Sequence, residues 1–203
     1  MASGVQKSPR SGNAPLAPVF KERGKQMKAI TVTVKGKSPL LMHRFPMEPI
    51  EALEKKLPEE QAEIAAYRDP DTGELYVPAI NFHRALIAGA AYSKGKGRAS
   101  LAKVAACAIF VSPERLSLGT KHYTIDARPV VVPATKGRVV RYRPRLDEWQ
   151  FTCTLEYDET LLKESQVRKI VDDTLERVGL LDFRPERKGP FGRGMVVEWK
   201  PIE

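Results

Sequence analysis

Residues Gly179-Leu-Leu-Asp-Phe-Arg-Pro-Glu-Arg-Lys-Gly-Pro-Phe-Gly-Arg-Gly194 concentrate groups suited to holding an anion. Four glycines stand among four cations (Arg184, Arg187, Lys188, Arg193) and two aromatics (Phe183, Phe191). Glycine lets a ligand approach the backbone and can leave N–H groups free. Cations attract phosphate, and exposed aromatic rings stack on bases. The segment therefore reads as a nucleic-acid-binding loop, with Phe191 beside Gly192 and Arg193 as the stacking candidate. The alternative is a glycine-rich connection on a basic protein.

Two further clusters carry the same chemistry. Lys136, Arg138, Arg141, Arg143 and Arg145 place five cations in ten residues with no acid among them. On a strand, Arg141, Arg143 and Arg145 share one face about 6–7 Å apart. Such a row can neutralise successive phosphates. A charged edge strand protected from aggregation has the same pattern. Lys94, Lys96 and Arg98 sit on glycine hinges, as phosphate contacts or as a solvated turn. They lack the frame of a Walker A loop.

His43, His83 and His122 are the only histidines. His43-Arg44 and His83-Arg84 are pairs that a nuclease could use, with a base beside a cation. They read instead as non-catalytic contact or surface residues, with Arg44 and Arg84 as binding cations. No catalytic residue is assigned. No Ser-His-Asp, paired-carboxylate or metal frame can be read from spacing, so no cofactor or metal is expected. Asp126 and Asp182 read as isolated turn residues.

The elements that must position these groups follow from periodicity. Residues 1–28 read as a flexible basic tail with six cations against one acid, and 29–203 as a single domain. Ala29–Lys35 alternates as a strand, and Pro39–Phe45 follows as an extended, partly buried segment. Residues 48–67 form an acidic helical stretch. Leu75–Val77 is a short strand. A helix is expected over Asn81–Tyr92, with Phe82, Ala85, Leu86, Gly89 and Ala90 on one face. A second short helix over Ala99–Ala106 leads to a strand at Cys107–Val111. Strands follow at Val130–Val132, at Arg138–Arg143 ending near Pro144, and at Trp149–Tyr157. A helix over Ser165–Val178 ends at Gly179, and Met195–Trp199 is the last strand, with Trp199 packed. The order predicts an α+β fold: a ferredoxin-like (RRM-like) βαββαβ antiparallel sheet with two helices on one face and inserted loops. The other face of such a sheet can take single-stranded nucleic acid.

Composition agrees. The chain has 203 residues, 42% of them apolar, and a net charge of +9, which biases it toward anionic partners. Cys107 and Cys153 lie in apolar contexts and read as two buried free thiols of a reducing compartment. No apolar run approaches the ~18 residues of a membrane span. A cytoplasmic protein without membrane partners is expected.

With these pieces in place, the chain resembles the RAMP superfamily of CRISPR RNA-binding proteins, most nearly the Cas7-like backbone subunits. Ser38-Pro-Leu-Leu-Met42 is similar to the segment after their first strand. Tyr76-Val-Pro-Ala79 before Asn81-Phe-His-Arg-Ala-Leu86 resembles the entry to their first helix. The element order matches over about residues 29–200, and Gly179–Gly194 resembles their glycine-rich loop, though its spacing is not a strict match. The resemblance implies non-enzymatic binding of single-stranded RNA, favoured over DNA, by a homo-oligomer or multi-subunit ribonucleoprotein. A Cas6-like endoribonuclease and a phage structural or assembly protein are the other readings.

Overall fold

The structure is a computed structural model that describes residues 27–47, 49–95, 100–131 and 137–202. The expected tail, apart from its last two residues, lies outside them, as do Lys96, Arg98 and Lys136. Strand β1 (Met27–Gly36) alternates as its β-branched residues dictate, burying Ile30, Val32 and Val34 on one face. It pairs antiparallel with β8 (Gln150–Asp158) on one side and β9 (Gly194–Ile202) on the other. β4 (Ile109–Ser112) pairs antiparallel with β8, giving the sheet order β4-β8-β1-β9. Phe151, Cys153, Leu155 and Tyr157 of β8 are buried on the same face as the β1 valines, as their alternation predicts.

Two helices cover that face. α3 (Ala79–Ala90) buries Phe82, Ala85, Leu86, Gly89 and Ala90, the stripe expected from sequence. α5 (Glu164–Asp173) buries Val167, Ile170 and Val171. The Phe82 and Phe151 rings meet edge to face at 5.5 Å across the helix–sheet interface. Counting only this sheet and these helices, the chain runs strand, helix, strand, strand, helix, strand. The opposite face carries Thr31, Thr33, Thr152, Thr154 and Glu156, with Glu198 accepting a 3.0 Å hydrogen bond from Thr33.

A second sheet, β2-β7-β6, is built from β2 (Leu40–Leu41), β6 (Thr124–Val131) and β7 (Arg138–Leu146). A third, of two strands, joins β3 (Tyr76–Pro78) to β5 (Arg115–Ser117). The acidic stretch folds as two helices, α1 (Ile50–Glu54) and α2 (Pro58–Ala65), broken where Pro58 begins the second. Among the described residues no helix is long and apolar enough to cross a membrane.

Several boundaries differ from the sequence reading for identifiable reasons. β7 runs through Pro144 to Leu146. Pro144 lies just past the two-residue β2, where its carbonyl accepts Met42 N–H at 2.9 Å, so the missing donor breaks no ladder. The last long helix becomes α5 plus one π-helical turn, Thr174–Val178. There the buried Thr174 hydroxyl donates back to the Ile170 carbonyl at 2.6 Å, a bond that distorts helices. Gly179 closes the turn at φ +74°. Cys107, expected in a buried strand, is exposed on α4 (Ala102–Ala108). Cys153 is buried, and burial pushes its thiol up to about 12.

α3 and the π-turn touch at Gly89. A Cβ there would lie 2.0 Å from Thr174 Oγ1 and 2.9 Å from its Cα. Gly89→Ala is therefore expected to destabilise the fold by about 1–3 kcal/mol through overpacking. Thermal unfolding followed by circular dichroism checks this; an unchanged midpoint would mean the two elements separate freely.

Candidate functional site

The site is built around β7, whose arginines behave unlike an exposed row. Arg141 and Arg143 are 9% and 5% exposed. Their face turns inward, toward the acidic insertion and the glycine-rich loop, and this corrects the expected phosphate-tracking surface. Arg141 approaches Glu54 of α1 at 3.7 Å. Arg143 pairs with Asp182 of the loop and lies 3.8 Å from Asp126 of β6. Arg128 donates Nε to both Asp126 oxygens, at 2.8 and 2.9 Å. Asp126 and Asp182 are thus the partners of a buried guanidinium, which corrects their reading as isolated turn residues. Arg145 is held by Asp147 at 2.6 and 2.9 Å. Arg138, at the start of β7, is exposed.

The glycine-rich loop is likewise shaped by its own packing. Phe191, expected to stack on a base, is 3% exposed. The Arg128 guanidinium lies 4.7 Å and that of Arg145 5.9 Å from its ring centre, and Phe183 packs against it at 6.0 Å. Gly192 has φ +72°, and a Cβ on it would sit 2.1 Å from the Leu180 carbonyl oxygen. Its N–H donates to the Pro39 carbonyl at 2.8 Å. Gly192 therefore closes the loop on itself and on the β1–β2 turn, and its N–H is not free for a phosphate. Arg193 pairs with Glu176.

A cleft of about 480 Å³ opens between α3 and the outer part of this loop. Arg84 and Asn81 line it from α3, one turn apart on one face. Arg184 and Arg187 line it from the loop around the short 3₁₀ turn Pro185–Arg187. His43 enters from the end of β2, and Tyr67 from beyond α2. Arg84 and Arg187 are exposed and make no ion pair among the described residues. Arg184 is tied to Glu186 and to the Leu181 carbonyl at 2.8 Å. Burial lowers the His43 pKa; Asp182, 3.8 Å from Nδ1, opposes that, and Arg143 and Arg141 reinforce it. The imidazole is thus neutral at pH 7. The cleft's three arginines face the Asp182 and Glu186 carboxylates in the same lining, and Arg84 and Arg187 are the cations among them without an ion pair.

The structure therefore brings Arg84, Arg184 and Arg187 together, with Lys188 exposed beside Arg187. Arg44, next to His43, is exposed. Lys94 lies beyond the other end of α3, outside the cleft. Tyr67 and Asn81 were not singled out from sequence; only the i, i+3 spacing of Asn81 and Arg84 could have signalled one of them. His83 buries Nε2 without a partner, and His122 is exposed. Among the described residues no group of three or more His, Cys, Asp or Glu side chains is placed to hold a metal ion.

No family model and no curated protein matches this chain. Solved structures do. One such chain comes from a cryo-EM structure of the Type III-B Cmr-beta bound to cognate target RNA. It is 13% identical, with a TM-score of 0.50 over 87% of this chain and 61% of that one. The likeness is one of fold, and this chain spans about three-fifths of that chain's length.

The Arg143 pairs join three elements, with Arg143 and Asp126 buried and Asp182 partly exposed at the cleft. Breaking a fully buried pair costs about 3–5 kcal/mol, and here Arg128 on Asp126 and the partial exposure of Asp182 reduce the loss to about 1–3 kcal/mol. Arg143→Ala is expected to lose that much stability in urea unfolding, whereas exposed Arg187→Ala stays within about 0.5 kcal/mol of the parent. Equal stabilities for the two variants would show that the pairs hold nothing together.

Proposed function

We propose that this chain is a non-enzymatic, RAMP-type protein that binds single-stranded RNA in the cleft between α3 and the glycine-rich loop. In this reading its core is ferredoxin-like, and it works as one subunit of a multi-subunit ribonucleoprotein of the Cas7-like kind. The sheet order and the two helices on one face support the fold assignment. The likeness to a chain from an RNA-bound Cmr-beta assembly supports the ligand class.

The observation that carries the proposal is the pair of unneutralised guanidiniums, Arg84 and Arg187, on the two walls of one cleft. A carboxylate beside each would have marked them as structural, as it does for Arg143 and Arg145. Lys188 extends the charge along the loop. The open sheet face is the less suitable surface. It carries one exposed ring, Phe110 opposite Glu156, and the cations Lys35 and Lys200, of which Lys200 is paired with Glu198 at 2.5 Å, among threonines. RRM-like binding stacks two or three bases on several rings.

Each phosphate neutralised on a single strand adds about 0.7 to the slope of log affinity against log salt. Arg84→Ala combined with Arg187→Ala is expected to weaken binding of a fluorescein-labelled single-stranded RNA and to reduce that slope by about 1.4. Anisotropy titrations at several salt concentrations measure both. An unchanged slope in a folded double variant would remove the cleft from the interface.

A further inference from the structure

We infer that the bound strand continues from the cleft along α3 and stacks a base on Tyr92, with Lys94 holding a flanking phosphate. This rests on the RNA-binding reading and adds a second subsite to it.

The two walls of the cleft converge beyond Ala88 of α3 and Gly179 of the loop, which both line it. One residue past Ala88, Gly89 lies against Thr174 of the π-helical turn. Beyond that contact the Arg177 guanidinium stands 5.1 Å from the centre of the Tyr92 ring. Tyr92 N–H donates to the Gly89 carbonyl at 3.0 Å, so the helical path runs on past Ala90. Arg84, Ala88 and Tyr92 follow one another at i, i+4 spacing and share a face. The ring therefore lies about 12 Å along the axis from Arg84.

The surroundings of Tyr92 fit a base and its phosphates. The residue is 51% exposed. Arg177 backs one face of the ring, which holds the ring in place and leaves the other face open. A ring already held loses little freedom when a base stacks on it. Phe45 and Phe110, the other exposed rings among the described residues, have no guanidinium against them. The nearby carboxylates are all paired. Asp173 is shared between Lys169 at 2.9 Å and Arg177 at 3.1 Å, Asp172 meets Arg168, and Glu176 meets both Lys37 and Arg193. Lys94, two residues past Tyr92, is exposed and makes no ion pair among the described residues. An exposed ring between cations, in line with an arginine-lined cleft, is how single-strand channels stack bases while neutralising phosphates.

Two fluorescein-labelled twelve-nucleotide RNAs test this with the full chain: an all-uridine strand and a strand of abasic residues. Both carry the same phosphates, so base contacts alone separate them. The parent protein is expected to bind the uridine strand about tenfold more tightly. Tyr92→Ala should lose most of that preference and keep the salt slope. Tyr92→Phe, which keeps the ring, should retain the preference, as should Phe110→Ala on the open sheet face. Lys94→Ala should lower the salt slope by about 0.7 for both strands; an unchanged slope would overturn its phosphate contact. Full preference in a folded Tyr92→Ala protein, or its loss in Tyr92→Phe or Phe110→Ala, would overturn the stacking subsite. So would equal affinities of the parent for the two strands, a comparison that needs no variant and leaves cleft binding standing. Failure of both strands to bind the parent would overturn the RNA-binding reading and the subsite with it.

Discussion

A buried guanidinium held between two carboxylates from distant parts of the chain is the interaction on which the site depends. Arg143 lies on β7, Asp126 on β6 and Asp182 in the glycine-rich loop. Taking such charges out of water costs several kcal/mol per ion unless each is paired. The pairing therefore fixes how the second sheet meets the loop. The backbone reinforces it, because Asp182 N–H donates to the Leu41 carbonyl of β2 at 3.0 Å. His43, two residues beyond β2, is brought beside Asp182 by the same contact.

This constraint divides the glycine-rich loop into two parts. Phe191 and Gly192 are buried against the Arg128 guanidinium and the Leu180 backbone, so that end is a fixed support. Arg184 to Lys188 project from it around a short 3₁₀ turn, and there Arg187 and Lys188 remain exposed. The rigid part sets the distance between the exposed part and α3. A cationic cleft results from two walls that are each anchored in the core, through Phe82 and Leu86 on one side and Leu180 on the other. Preorganised walls lower the ordering cost of binding.

The elements with strong periodicity were legible in the sequence. β1, β8 and the buried stripe of α3 follow from alternation and from i, i+3, i+4 spacing, and Gly179 marked the end of the last helix turn. The burial of Arg141 and Arg143 was not legible. Period two assigns them a common face but cannot say whether that face meets solvent or the α1–α2 insertion. Their partners are also remote: Asp182 lies 39 positions from Arg143. Phe191 had the composition of a stacking residue, and only the tertiary approach of Arg128 and Arg145 made it part of the support. Arg84, Arg184 and Arg187 could be named from charge alone. Tyr67 and Asn81 could not, because uncharged polar residues give no signal until the fold places them in a cleft.

The central claim is that RNA runs through the cleft and not across the open face of the four-stranded sheet. Photo-crosslinking of a 4-thiouridine-substituted single-stranded RNA, followed by peptide mapping, separates the two surfaces directly. Adducts are predicted on peptides carrying Tyr67, Asn81 to Arg84, and Arg184 to Lys188. Adducts confined to Phe110, Thr31, Thr152 and Thr154 would place the strand on the sheet and contradict the account.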